Sequence, residues 1–189
     1  IMKMKRLIYQ VCLGKKSKLY EHCIASVAEY CKRHGIEHEV QRTPILKIKP
    51  DVFATNRSKE SYMKHGGFLP IYEKENAFTY LKNYDQVAII DADIWIRPDA
   101  PNIFDEVGTE VDFAGVLERD MPVTPEYRKK IANYSRMQYS MPNLNKLFDW
   151  EHSAGADFYN MGMMVLNRSI EKYLRGQTPM QFIKRPEFK

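Results

Sequence analysis

Four apolar residues, Val87-Ala88-Ile89-Ile90, run directly into Asp91-Ala92-Asp93, and apolar character resumes at Ile94-Trp95-Ile96 before Pro98. An unbroken apolar run this short reads as a strand covered on both faces, the kind found at the centre of parallel sheets. The carboxyl ends of such strands are where open α/β sheets place ligands. Two carboxylates two residues apart repel unless a cation lies between them. Hard oxygen ligands favour magnesium or manganese, ions that keep positions open for substrate phosphates. Asp91 and Asp93 are therefore candidate ligands of a divalent metal, Mn or Mg, that bridges a diphosphate. A plain structural role also accounts for the pair, one aspartate capping the turn and the other solvated.

The chain before this strand has the matching order. Arg6 to Leu13 reads as a buried strand and Gly14 to Lys16 as a turn. Ser17 caps a helix whose Leu19, Cys23, Ile24, Val27 and Cys31 recur at helical spacing, and Gly35 ends it. Glu37 to Gln41 alternates as a short strand, completing a strand, helix, strand unit of the kind that builds α/β sheets. Residues 43–56 read as a long connection, with helices near Ser58 to His65 and Leu69 to Asn83 on either side of Gly66-Gly67. After the aspartates, Val111 to Leu117 and Met161 to Leu166 read as strands. Residues 121–150 read as an irregular excursion, and Thr178-Pro179 as a helix start. With 189 residues, the expectation is one α/β domain over 1–189.

Composition narrows the classes. No apolar run approaches the ~20 residues of a membrane span, and the Leu7 to Leu13 run, interrupted by Gln10 and followed by Lys15, Lys16 and Lys18, reads as a strand rather than a leader. Three cysteines without CxxC spacing support neither a disulfide framework nor a zinc ribbon, which fits a reducing, cytoplasmic setting. Residues 1–50 carry 11 Lys/Arg against 4 Asp/Glu. No nucleic-acid motif accompanies that charge, so it reads first as a solvated basic face, with contact to a small anion, rather than to RNA or DNA, as the alternative. Four of the five histidines, His22, His34, His38 and His65, read as surface residues.

Other chemistries share the DxD spacing. A haloacid-dehalogenase phosphatase needs Thr or Val where Trp95 stands, a polymerase-beta-type nucleotidyltransferase needs an upstream Gly-Ser helix signal, and a Walker loop, GxGxxG and GxSxG are all missing. A metal and diphosphate site without a glycine loop is what remains. Tyr84 to Ile94 (YDQVAIIDADI) resembles the DxD signature of GT-A nucleotide-sugar glycosyltransferases, and Phe158 to Asn167 (FYNMGMMVLN) resembles their later FNxGxxLxN strand. Lys74, 17 residues before Asp91, falls where retaining members of families eight and thirty-four place a Lys or Arg near the donor, and Tyr30 to Gly35 (YCKRHG) resembles the end of the first helix in family thirty-four.

The resemblance implies a Rossmann-like GT-A fold, a mostly parallel central sheet with helices on both faces, and a metal-dependent transferase moving a sugar from a nucleoside-diphosphate donor to a glycan, lipid or protein acceptor. The donor would lie over Tyr9, Gln10 and Val11 and their loop, and against Lys74, Asp91, Ala92, Asn160 and Gly162. Met161 stands where the family has Ser, Thr or Ala, which would reshape the sugar pocket. Asp120 and Asp157 are the candidate catalytic carboxylates, in loops whose geometry nothing in the sequence fixes. Family members continue past the FNxGxxLxN strand to an acidic segment and often to a metal-ligand histidine, so the resemblance also implies a chain cut short at its C-terminus. Ile1 standing before Met2 adds to that expectation. A non-catalytic sugar-nucleotide or anion-binding domain and a metal-dependent nucleotidyltransferase are the alternatives.

Overall fold

The computed structural model describes residues 2–49, 63, 68–139 and 157–188. Five strands form one sheet: β1 (Arg6–Val11), β2 (Glu37–Gln41), β3 (Gln86–Ile90), β4 (Phe113–Leu117) and β5 (Tyr159–Asn167), in the order β2-β1-β3-β5-β4. β1 pairs in parallel with both β2 and β3, while β5 runs antiparallel between β3 and β4. Four strands therefore share one direction and only β5 opposes them, a mixed α/β sheet that is parallel in its first half.

Alternation along the strands sends side chains to two cores. Ile8 of β1 with Ala88 and Ile90 of β3 meets Val27, Tyr30 and Cys31 of helix α1 (Lys18–His34). Leu7, Tyr9, Val87 and Ile89 face the other way, onto Ala77 and Leu81 of the 3-10 helix Pro70–Lys82. Helices thus cover both faces, and each buried Leu or Val side chain contributes roughly 1.5–3 kcal/mol of apolar transfer. All three cysteines are free and buried, and burial pushes the Cys31 thiol up to about 12.

Several local readings change. Gly35 ends α1 in the left-handed region (φ 64°) as expected, but Leu19 is exposed, and Ser17 stands at the N-cap without a hydroxyl cap bond. His38 is half-buried with its ring on Gln10, and His34 reaches the Ala100 carbonyl, so these two are not plain surface histidines. Of the excursion expected over 121–150, residues 140–150 lie outside the described residues, and helix α3 (Pro125–Tyr139) replaces irregular chain in the part before them. Its start is a Thr-Pro step like the one at 178–179, with the Thr124 hydroxyl accepting from the Tyr127 amide. Short helices α2 (Ile103–Glu106), α4 (Glu171–Leu174) and α5 (Pro179–Ile183) are also present among the described residues, the last closed by a Thr178–Gln181 capping box. The expected helix at 58–65 and the Gly66-Gly67 break lie outside the described residues, Met63 excepted.

Candidate functional site

The parallel strands β1, β2 and β3 end at one edge of the sheet, where β4 also ends and the reversed β5 begins. At the end of β3, Ala92 turns inward and packs with Cys12 and Ile24, so that Asp91 and Asp93 on either side of it are left half-exposed and exposed. The Asp91 amide donates to the Gly162 carbonyl at 2.8 Å, carrying the β3–β5 ladder one step past the strand. Asp91 and the Asn160-Met161-Gly162 segment, about 70 residues apart in the chain, are thereby neighbours.

A bulge shapes β5 at this point. β4 pairs with β5 from Phe113↔Leu166 to Gly115↔Met164 and resumes at Val116↔Asn160, so Met161, Gly162 and Met163 have no β4 partner. Bulges of this kind re-aim groups at the rims of sheets. The Gly162 amide takes the Asn160 side-chain oxygen at 2.8 Å instead, and the Met161 carbonyl accepts from Lys74 Nζ at 2.9 Å. Glycine leaves room at 162: a Cβ there would lie 2.8 Å from Asn160 Oδ1, so the Asn160 side chain would have to shift, and at contact distance, 3.5 Å, from Asp91 Oδ2. Met161 is about a third exposed (37%).

Lys74, from the Pro70–Lys82 helix, also contacts Asp91 Oδ1 at 2.5 Å. Asn160 donates its amide to Glu118 Oε1 at 2.9 Å, and Glu118 itself, only 8% exposed, opens the 3-10 turn Glu118–Asp120 that follows β4. Its backbone amide is held by the Phe158 carbonyl. Glu118 is the residue that sequence reading missed. Its signal was its position, the first carboxylate past a strand end at the ligand edge. Asp120 is exposed on the same turn, and Asp157 is paired with Arg119 at 2.5 Å.

At the β1 end the expected donor contacts are placed differently. Tyr9 is fully enclosed, its ring against Tyr80 and its hydroxyl bonded to Asn76 Nδ2 at 3.2 Å; burial drives its ionisation well above the ordinary tyrosine range. Gln10 is equally buried, donating to the Asp91 carbonyl at 3.3 Å and accepting from His38 at 2.7 Å. Ala92 is in the core, and Val11 is half-buried. Tyr9 and Gln10 thus support the site from within and have no surface to offer a ligand.

Among the described residues no three His, Cys, Asp or Glu side chains come together. A divalent ion at Asp91 and Asp93 would take these carboxylates and complete its shell with water and substrate oxygens, the usual arrangement for magnesium and manganese at phosphate sites. The donor set fits such an ion. No helix of the described residues is long and apolar enough to cross a membrane.

No protein-family model matches the chain, and no curated protein does. Among solved structures it is similar to a glycosyltransferase involved in the glycosylation of the major capsid of PBCV-1, with a TM-score of 0.48 and 12% identity over 93% of this chain and 68% of that one.

Proposed function

We propose that this chain is a GT-A-type glycosyltransferase domain that binds a nucleoside-diphosphate sugar with a divalent metal and passes the sugar to an acceptor. The observation that carries this reading is the meeting of Asp91, Lys74 and the Asn160–Gly162 bulge, from three separated segments, at the carboxyl edge of the sheet. Asp91 and Asp93 would hold manganese or magnesium, which when bound neutralises charge on a diphosphate leaving group. Lys74 brings a further positive charge to the same place. Glu118 fixes the amide of Asn160, and Asn160 in turn holds the Gly162 backbone, so the wall beside Asp91 is set before a ligand arrives. Preorganised polar groups of this kind lower the reorganisation that charge transfer requires.

A melting screen of nucleoside-diphosphate sugars with manganese or with chelator tests this reading. A matching donor at a hundred times its Kd should add about 2.7 kcal/mol of stability, only with manganese, and not in Asp91→Asn. Equal stabilisation in chelator would contradict the metal bridge. Hydrolysis of that donor without an acceptor would separate a transferase from a domain that only binds.

A further inference from the structure

The Lys74 ammonium sits between two oxygens from distant segments, Asp91 Oδ1 just past β3 at 2.5 Å and the Met161 carbonyl of β5 at 2.9 Å. Its side chain is only 12% exposed, against 36% for Asp91, so the contact is a packed ion pair rather than a passing surface encounter. The Met161 carbonyl lies in the bulge that β4 leaves unpaired. A divalent ion bound by Asp91 and Asp93 seeks the same carboxylate that this ammonium neutralises, and two cations at one carboxylate repel. Lysine suits a cation that must give way: it is a point charge on a flexible four-carbon stem, without the rigid two-pronged grip of arginine.

We propose that Lys74 is an internal counter-ion of Asp91, opposing a divalent metal that arrives alone and supporting one that arrives with a diphosphate. The diphosphate gives the displaced ammonium a new anionic partner, so the penalty on metal becomes a gain for the metal–diphosphate pair. Loading is then coupled: metal without its anion is held weakly, and each of the two raises the affinity for the other. This rests on the reading of Asp91 and Asp93 as the metal ligands.

The experiment titrates Mn2+ alone, followed by the free-ion EPR signal, and then the Mn2+ complex of inorganic pyrophosphate. It uses the native chain, Lys74→Met, Lys74→Gln, Lys74→Arg and Asp91→Asn, each checked for an unchanged unfolding midpoint. Lys74→Met and Lys74→Gln should bind Mn2+ alone on the order of tenfold tighter and the Mn2+–pyrophosphate complex on the order of tenfold weaker, while Lys74→Arg stays near the native values for Mn2+ alone. Opposite signs are the signature, because a lysine that only props up the fold would move both affinities the same way. Mn2+ affinity in the Met and Gln variants equal to or below native, with Asp91→Asn still abolishing it, would overturn the counter-ion role and leave the metal ligands standing. Mn2+ affinity untouched by Asp91→Asn would overturn both.

Discussion

The two halves of the sheet's carboxyl edge handle polar groups in opposite ways. On the β1–β2 side they are mostly met internally: Tyr9 by Asn76, Gln10 by His38, and the Gln41 amide nitrogen by Glu73, although Gln41 Oε1 is enclosed without a partner. Glu73, 1% exposed, also accepts the backbone amides of Ile45, Leu46 and Lys47, which pins the loop after β2. On the β3–β5 side Asp91 stays partly exposed and Asp93 exposed, and backbone groups freed by the bulge face side chains instead of a strand. A buried polar group with all its partners stiffens a fold. On the other side Asp91 meets Lys74 from a distant segment while keeping part of its surface, and the proposed site rests on that contrast.

Stability and metal binding should therefore respond to different residues, and the largest effect lies on the internal side. Glu73→Ala strips the acceptor from three backbone amides and Gln41, and should cost about 3 kcal/mol in denaturant unfolding without changing Mn2+ affinity. Burial raises the Glu73 carboxyl, but its hydrogen bonds outweigh burial and hold it below the ordinary range. Its contribution is therefore present above the ordinary carboxylate value and lost as pH falls through the lowered one. Glu73→Gln should flatten that acid limb.

Glu75, two residues on, tests the opposite case at the boundary between the halves. Its Oε2 is enclosed without a partner, and burial pushes the carboxyl up to about 7 in spite of the neighbouring Lys74. An acid raised on folding favours the native state at low pH, so stability should decline as pH climbs from the ordinary carboxylate value through about 7. Glu75→Gln should remove that decline, with a gain on the order of 2 kcal/mol at pH 8. Unchanged pH dependence in the variant would show that the group ionises freely.

A smaller effect is expected at Tyr9→Phe, which deletes one buried hydroxyl bond and should cost about 1 kcal/mol while leaving Mn2+ binding intact. The smallest is Asp93→Asn, within about 0.5 kcal/mol of native stability but with Mn2+ affinity reduced at least tenfold. If Tyr9→Phe weakened Mn2+ binding as much as Asp93→Asn, the division between the two sides would fail.

How much of this was legible depended on whether the signal was local. The Val87–Ile90 run and the alternation at Glu37–Gln41 are strands because burial on a pleat dictates apolar period, and both appear over the residues expected. Gly35 needed only its own φ. The start of α3 was equally local, since Thr124-Pro125 carries the same cap and N1 proline as Thr178-Pro179, but weak apolar periodicity beyond it masked the helix. Tyr9 and Gln10 were misplaced for a different reason: strand position fixes the edge a residue approaches, whereas Asn76 and His38, which absorb these side chains, come from elsewhere in the chain. Glu118 is the same problem reversed, a carboxylate whose meaning depends on Asn160 across a strand bulge that no spacing encodes. Lys74 was placed near the donor by family resemblance, yet its contact with Asp91 is a tertiary fact.

The most direct test of the central claim is paramagnetic mapping: substoichiometric Mn2+ added to the isotopically labelled chain, read as amide resonance broadening. Broadening strongest at the amides of Asp91 to Ile94 and Asn160 to Gly162, falling off with distance from them and lost in Asp91→Asn, is the result predicted for a metal site at the β3–β5 edge. Broadening centred elsewhere on the surface, or unchanged by Asp91→Asn, would contradict it.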